Sequence, residues 1–261
     1  IFLTIVFQII ETNYKYNLTI SKMCLAPLVI SIDGNIGSGK STLLNRLKES
    51  LSKLKFTHNI NVVFLQEPVE LWESFTDEDG ETIISKFYRD QEKWSFAFQI
   101  MAYISRLSIL KKAIKENPNS LIITERCVDT DRWVFAKMLY DAKKMNLIEY
   151  TIYLKCFEEF KGESPINGIV YLDVKPDNCY KRVEKRSREG ESIPLDYLQQ
   201  CEKYHTDWLT NLDYSTSKLT LDGNTDTDAN PEIVSHWVSQ IEKFIDTTYN
   251  NRSFNLQNKN I

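Results

Sequence analysis

Ile30-Ser31-Ile32-Asp33-Gly34-Asn35-Ile36-Gly37-Ser38-Gly39-Lys40-Ser41-Thr42-Leu43-Leu44 decides the fold. An apolar β-branched run breaks into three glycines and then resumes with leucines. The G-x-x-x-x-G-K-S spacing has a physical cause: glycines let the backbone fold tightly enough for successive N–H groups to converge on a phosphate at a helix N-terminus. In such a P-loop, running from Gly34 to Thr42, Lys40 reaches the β- and γ-phosphates and Ser41 turns its hydroxyl to Mg²⁺. The pattern carries weight only between a strand and a helix. Leu28 to Ile32 supply the first, and Leu43, Leu44, Leu47 and Leu51 the second.

The 261 residues are 42% hydrophobic, enough to bury one sizeable core, so a single α/β domain over residues 23–248 is expected. A net charge of −4 favours a small-molecule partner over a nucleic acid polymer, which usually meets a basic surplus. The five cysteines are scattered and never spaced C-x-x-C, against both a disulfide framework and a zinc site. A reducing, cytoplasmic setting follows. His58, His205 and His236 stand apart from one another and from any nucleophile motif, and read as ordinary core or surface residues.

Residues 1–22 differ from the rest. Their apolar stretch of about ten residues is too short to span a bilayer and lacks the basic leader and cleavage site of a secretory signal. With Met23 just ahead of the first strand, residues 1–22 are expected to be an upstream or non-native extension. No membrane partner is expected. The Asn-rich tail, 249–261, is expected to fray.

Four further stretches carry chemistry. Asn61 to Leu65 reads as a strand ending in Glu67-Pro68; carboxyl ends of parallel strands face the ligand crevice, so Glu67 stands either beside the nucleotide or in a solvated loop. Trp94 to Lys112 reads as a helix with Gln99, Ala102 and Arg106 on one face, pointing either to water or to a planar polar ligand in a pocket lined by Phe96 or Phe98. Ser120 to Thr124 is a second buried strand, running into Glu125-Arg126; the pair suits Mg²⁺ or a proton and an anionic oxygen. Cys127 reads as a space-filler. After a third strand, Gly168 to Asp173, Arg182, Arg186 and Arg188 form either a solvated helix face or a clamp over phosphates. A helix over 197–209, a strand over 219–222 and a helix over 231–245 complete the pattern, an α/β fold with a central parallel sheet flanked by helices.

The series DGNIGSGKST, EPVELW, WSFAFQ…SR, ERCVDTDR and R-x-x-x-R-x-R followed by IPLDYL resembles the deoxyribonucleoside kinases, the group that includes deoxycytidine, deoxyguanosine and insect-type broad-specificity kinases. It covers about Leu28 to Leu209 with the motifs in order. The resemblance implies a three-layer P-loop kinase with an Arg-rich lid, using ATP and Mg²⁺ to phosphorylate the 5′-hydroxyl of a deoxynucleoside, and a homodimer. Glu67 is then the base for that hydroxyl, and Glu125 supports Mg²⁺, although some assignments make the Glu-Arg glutamate the base. Trp72 walls the pocket, Tyr88 and Glu191 meet the sugar, Gln99 pairs with the base edge, and Phe98 and Phe135 sandwich the base. Arg126, the second residue of that Glu-Arg pair, is expected to be catalytic and to bind the nucleoside substrate. Arg182, Arg186 and Arg188 are lid arginines, and Asp226, beyond the last strand, completes the residues expected at the donor nucleotide. Here the lid is one residue shorter between Glu191 and Pro194, and Cys127 stands where the family has serine. Ala102, Arg106 and Asp131 match members that prefer deoxycytidine or purine deoxynucleosides over thymidine, whose methyl needs the room that the Arg–Asp pair fills.

Two other readings share the P-loop. A nucleoside monophosphate kinase of the thymidylate type needs a site for the acceptor phosphate, where this chain has Glu67. A nucleotide-dependent switch of the GTP type carries N-K-x-D, which the sequence lacks.

Overall fold

The computed structural model describes residues 26–51, 60–188, 190–213, 216–225 and 230–258. The extension 1–22, His58 and Asp226 lie outside the described residues. Five parallel strands form one sheet in the order β2-β3-β1-β4-β5: β1 Leu28–Gly34, β2 Val62–Leu65, β3 Leu121–Glu125, β4 Gly168–Asp173 and β5 Ser217–Asp222. Every residue of β1 and β3 is buried, the continuous apolar reading of strands covered on both faces. Helix α1 (Lys40–Leu51) leaves the P-loop. After β2 come α2 (Val69–Glu73), α3 (Ile83–Arg89) and α4 (Gln91–Glu116). A compound helix follows β3; this α5 comprises Val128–Thr130, a π-helical turn Asp131–Ala136, and Lys137–Asp141. Then come α6 (Leu147–Phe160), α7 (Pro176–Arg186), α8 (Leu195–Thr210) and α9 (Pro231–Asn258).

Side-chain alternation makes three layers. Val29 and Ile122 pack with Leu110 and Ala113 of α4 on one face. On the other face Ile30 meets Phe244 of α9 over the bare Cα of Gly168. Two helices are longer than their sequence pattern suggests. α4 begins at Gln91 because the Asp90 side chain accepts the Lys93 N–H as an N-cap. α9 continues past Ile245 through Asn258, so residues 249–258 are helical, with Arg252 donating to the Pro27 carbonyl at 2.8 Å. α6, unmarked in the motif reading, is closed by a capping box between Asn146 and Glu149. Among the described residues no helix is long and apolar enough to cross a membrane.

The strand order reverses at β1: the chain goes on to β2 and β3 on one side, and later to β4 and β5 on the other. Ligands bind outside the carboxyl ends of strands at such a switch point. The carboxyl ends of β1, β2 and β3 bring the P-loop, Glu67 and Glu125-Arg126 to one place.

Candidate active site

A cleft of about 1180 Å³ opens at that switch point. Its donor end is the P-loop. Asn35 fixes the loop from inside, donating its side-chain amide to the Leu198 carbonyl at 2.8 Å and accepting from Ile36 N at 2.8 Å. Gly37 lies at φ +76°, and a Cβ there would come within 2.6 Å of the Cys179 carbonyl, so α7 can sit this close to the loop only because the residue is glycine. Lys40 is buried and donates to the Asn35 carbonyl at 2.7 Å. Burial, then the neighbouring Arg126, pulls its ammonium down to about 8, against the carboxylates of Glu125, Glu67 and Asp33. The buried Ser38 hydroxyl has no partner, as befits a group facing a phosphate. Ser41 donates to Glu125 Oε1 at 2.7 Å. A hydroxyl beside a carboxylate is a hard oxygen donor set that fits Mg²⁺; among the described residues no cluster of three or more His, Cys, Asp or Glu forms a metal cage.

The acceptor end is built on α4. Gln99, Ala102 and Arg106 are all buried, so the shared face points inward and not to water. Arg106 is the hub: Nε donates to Asp131 at 2.9 Å, Nη1 to the Glu125 carbonyl at 2.9 Å, and Nη2 to Glu67 at 2.8 Å. Glu67 also meets Arg126 Nε at 3.3 Å. Burial opposes ionisation of Glu67, but Arg126 and Arg106, with Lys40 behind them, outweigh it and hold the carboxyl at about 2. Burial pushes Asp131 up to about 6, although Arg106 opposes it. Gln99 Oε1 is buried without a partner in the cleft, the signature of a group whose partner is a ligand. Trp72 donates to Ser105 at 2.8 Å and lies edge-on to Phe98, which stacks on Phe87 at 4.6 Å. Phe135, Tyr88 and Ala102 line the same space.

The arginine-rich segment expected to form a lid arrives from α7. Arg182 is spent on backbone, donating to Ser38 at 3.1 Å and to Gly223 at 2.8 Å, so it braces the P-loop. Arg186 pairs with Glu191, and Arg188 stands 3.9 Å from the same carboxylate. All three arginines and Glu191 line the cleft.

Motif reading missed two features, the backbone of Arg126 and the role of Asp33. Arg126 sits in the left-handed region at φ 61°, a strained backbone that turns its guanidinium back to the Gly34 carbonyl at 2.7 Å and over the Phe135 ring at 5.0 Å. Asp33 is fully buried at the end of β1 and accepts from Ser31, from Thr130 at 2.5 Å and from Cys127 at 3.7 Å, tying β1 to α5. Cys127, whose thiol burial pushes well up, is packing and not a nucleophile. His205 is fully buried beneath Phe135, its Nδ1 bonded to the Cys201 carbonyl at 2.7 Å; burial, then Arg126, pulls it down to about 3, so the ring is neutral. The Asp-Gly at a strand end was a legible hint for Asp33; nothing local marked the Arg126 backbone, and His205 is the ordinary core residue its sequence context suggests.

Comparison with known proteins points the same way. The family model described as deoxynucleoside kinase matches residues 30–246. Deoxycytidine kinase 1 of Xenopus laevis is 33% identical over 84% of this chain and 90% of its own length, and deoxycytidine kinase of Homo sapiens 33% identical over 84% and 91%. The mitochondrial deoxyguanosine kinase of Xenopus laevis is 30% identical over 69% of this chain and 72% of its own. With its P-loop, its paired carboxylates at the sheet edge and a family match over most of its length, the chain belongs to the deoxynucleoside kinase family and is a phosphotransferase of nucleoside salvage.

Proposed function

We propose that the protein transfers the γ-phosphoryl group of ATP to the 5′-hydroxyl of deoxycytidine or a purine deoxynucleoside, and accepts thymidine poorly. The observation that carries the acceptor assignment is the buried, unpartnered Gln99 Oε1 next to the Arg106–Asp131 pair. Gln99 offers a donor and an acceptor to a base edge, and Asp131 keeps one carboxylate oxygen for an exocyclic amino group. Thymine has no such amine. Arg106 is already bound to two carboxylates, Glu67 and Asp131, which favours a neutral nucleoside over a monophosphate.

Glu67 is the base. It stands at the acceptor end, whereas Glu125 holds the Ser41 hydroxyl at the donor end. Held at about 2, Glu67 is ionised at every working pH and orients the hydroxyl for in-line attack; the proton passes to it late, as a loose phosphoryl-transfer transition state allows. Lys40 and the P-loop amides hold the donor phosphates, while Arg126 and the lid arginines Arg186 and Arg188 meet the charge that develops. Ser41 and Glu125 would hold Mg²⁺, which would supply positive charge against the donor phosphates. A homodimer is supported by an apolar surface on α4 and α6, where Ile104, Leu147, Ile148 and Ile152 are exposed. Burial of Cys127, Cys179 and Cys201 as free thiols supports a reducing, cytoplasmic setting. Transfer from ATP and Mg²⁺ to each of the four deoxynucleosides and each monophosphate tests the assignment: deoxycytidine or the purines should lead, thymidine should trail, and monophosphates should be inert.

A further inference from the structure

The lid touches the acceptor half of the cleft through its backbone. Gly190, at φ +74°, faces α3 so closely that a Cβ on it would lie 2.9 Å from Ser85 Oγ, 3.0 Å from Ser85 Cβ and 3.3 Å from Ser85 Cα. Ser85 is fixed in place: its N–H donates to the N-cap Thr82 at 3.2 Å, and the next residue, Lys86, is paired with Asp77 and with Glu81 at 3.4 Å. Tyr88 stands three residues on, one helical turn along the same face. On the lid side, Glu191 follows Gly190 directly; its N–H donates to the Arg188 carbonyl at 3.2 Å, and its buried carboxylate carries Arg186. Tyr88 and Glu191 both line the cleft, and burial and then the Glu191 charge push the Tyr88 hydroxyl up.

We infer that Gly190 is a positioning residue: its missing side chain seats the lid on Ser85, and that seating sets Glu191 against Tyr88 with Arg186 attached. One backbone contact then couples the sugar end of the acceptor to an arginine that serves the donor phosphates. A lid lifted off Ser85 removes Glu191 from the sugar and Arg186 from its place together. The inference rests on the kinase reading above and takes the sugar-facing pair, Tyr88 and Glu191, to the 3′-hydroxyl.

The test wedges the contact from both sides, and Ser85→Val does so from α3 with the Gly190 backbone untouched. Ser85→Val, Gly190→Ala and the double variant Gly190→Ala/Ser85→Gly are assayed with deoxycytidine and with 2′,3′-dideoxycytidine, alongside ATP affinity and Tm. Ser85→Val should raise KM for deoxycytidine about tenfold or more, the loss of one hydrogen bond to a charged group, and should weaken ATP binding as well, because Arg186 leaves with the lid. KM for the dideoxynucleoside should rise far less, because it has no 3′-hydroxyl to lose. Gly190→Ala should behave alike, and the Ser85→Gly replacement should recover part of the loss by making room. Equal losses for both nucleosides, an unchanged KM in Ser85→Val, or an effect confined to Tm would overturn the seating role while leaving the kinase reading intact. Failure of the unmodified protein to phosphorylate any deoxynucleoside would overturn that reading and this inference with it.

Discussion

Replacing Glu67 by glutamine keeps the shape of the side chain and removes its charge. Arg106 would retain Asp131, but Arg126 would lose the carboxylate 3.3 Å from its Nε. The cost follows from the proton affinity of the group: a carboxyl moved from 4.5 to about 2 is held in its charged form by about 3 kcal/mol, at about 1.36 kcal/mol per tenfold. For a chain of this size that is roughly 6 to 12 °C in Tm. The sign is fixed by the direction of the shift. A depressed carboxyl stabilises the fold above its unfolded value, and that contribution disappears as pH falls from 4.5 towards about 2. The Tm gap between wild type and Glu67→Gln should therefore be constant above about pH 5.5 and narrow below 4.5. Catalysis should fall much further than stability, by about 10² to 10⁴ in kcat, the usual contribution of a positioned proton acceptor, with ATP affinity retained. Steady-state kinetics and calorimetry on one preparation separate the two effects. Activity within about tenfold of wild type would remove Glu67 as the base and move that role to Glu125; an unchanged Tm at neutral pH would refute the electrostatic coupling to Arg106 and Arg126.

Three more outcomes follow from the same geometry. Asp131, pushed up to about 6, protonates as pH falls through that value and stops accepting from an exocyclic amine, so KM for deoxycytidine should climb below pH 6 while KM for thymidine stays flat in the same assay. Lys40, held at about 8, binds phosphate only as the ammonium; ATP affinity by isothermal titration should weaken as pH rises through 8, and a Lys40→Met variant should lose that dependence. Gln99→Leu removes a buried acceptor that has no partner in the free protein, so Tm should rise slightly while KM for deoxycytidine rises by about 100-fold or more; a variant that loses stability and keeps its KM would place the Gln99 side chain outside base recognition.

What the sequence revealed depended on how local the cause was. The P-loop was legible because its glycines, lysine and serine act through one turn of chain, and β1, β3 and β4 because strands buried on both faces are apolar throughout. Glu67 and Glu125 were legible as carboxylates at strand ends, and the shared face of Gln99, Ala102 and Arg106 from their spacing along α4, while its inward direction came only from packing. The compound helix α5 was not. Its turn at Asp131–Ala136 has the wider i to i+5 bonding of a π-helix, which no 3.6-residue periodicity reports, and that turn holds both Asp131 and Phe135. The left-handed Arg126 escaped notice because arginine has no preference for that region; contacts from Gly34, Glu67 and Phe135, distant in sequence, over-determine it. α9 was underestimated for the opposite reason. Asparagine is a weak helix former, and docking, through the buried Thr248 and Arg252 on the Pro27 carbonyl, overrides that preference.

Arg106 explains why recognition and chemistry in this site are hard to separate. Its three nitrogens bind Asp131, proposed to read the base, the carbonyl of Glu125 at the end of β3, and Glu67, proposed to face the 5′-hydroxyl. A planar guanidinium with fixed donor directions makes those three positions one rigid frame. Removing Arg106 to admit a thymine methyl would leave Asp131 buried and unpaired, a loss of about 3 to 5 kcal/mol for one partner of a buried ion pair. It would also free Glu67 to swing towards Arg126 alone. Broader base acceptance therefore requires Arg106 and Asp131 to change together, and the base must then be re-anchored by Arg126. That guanidinium is itself pinned by Gly34 of the phosphate loop, so acceptor geometry and donor geometry meet at the same strained residue.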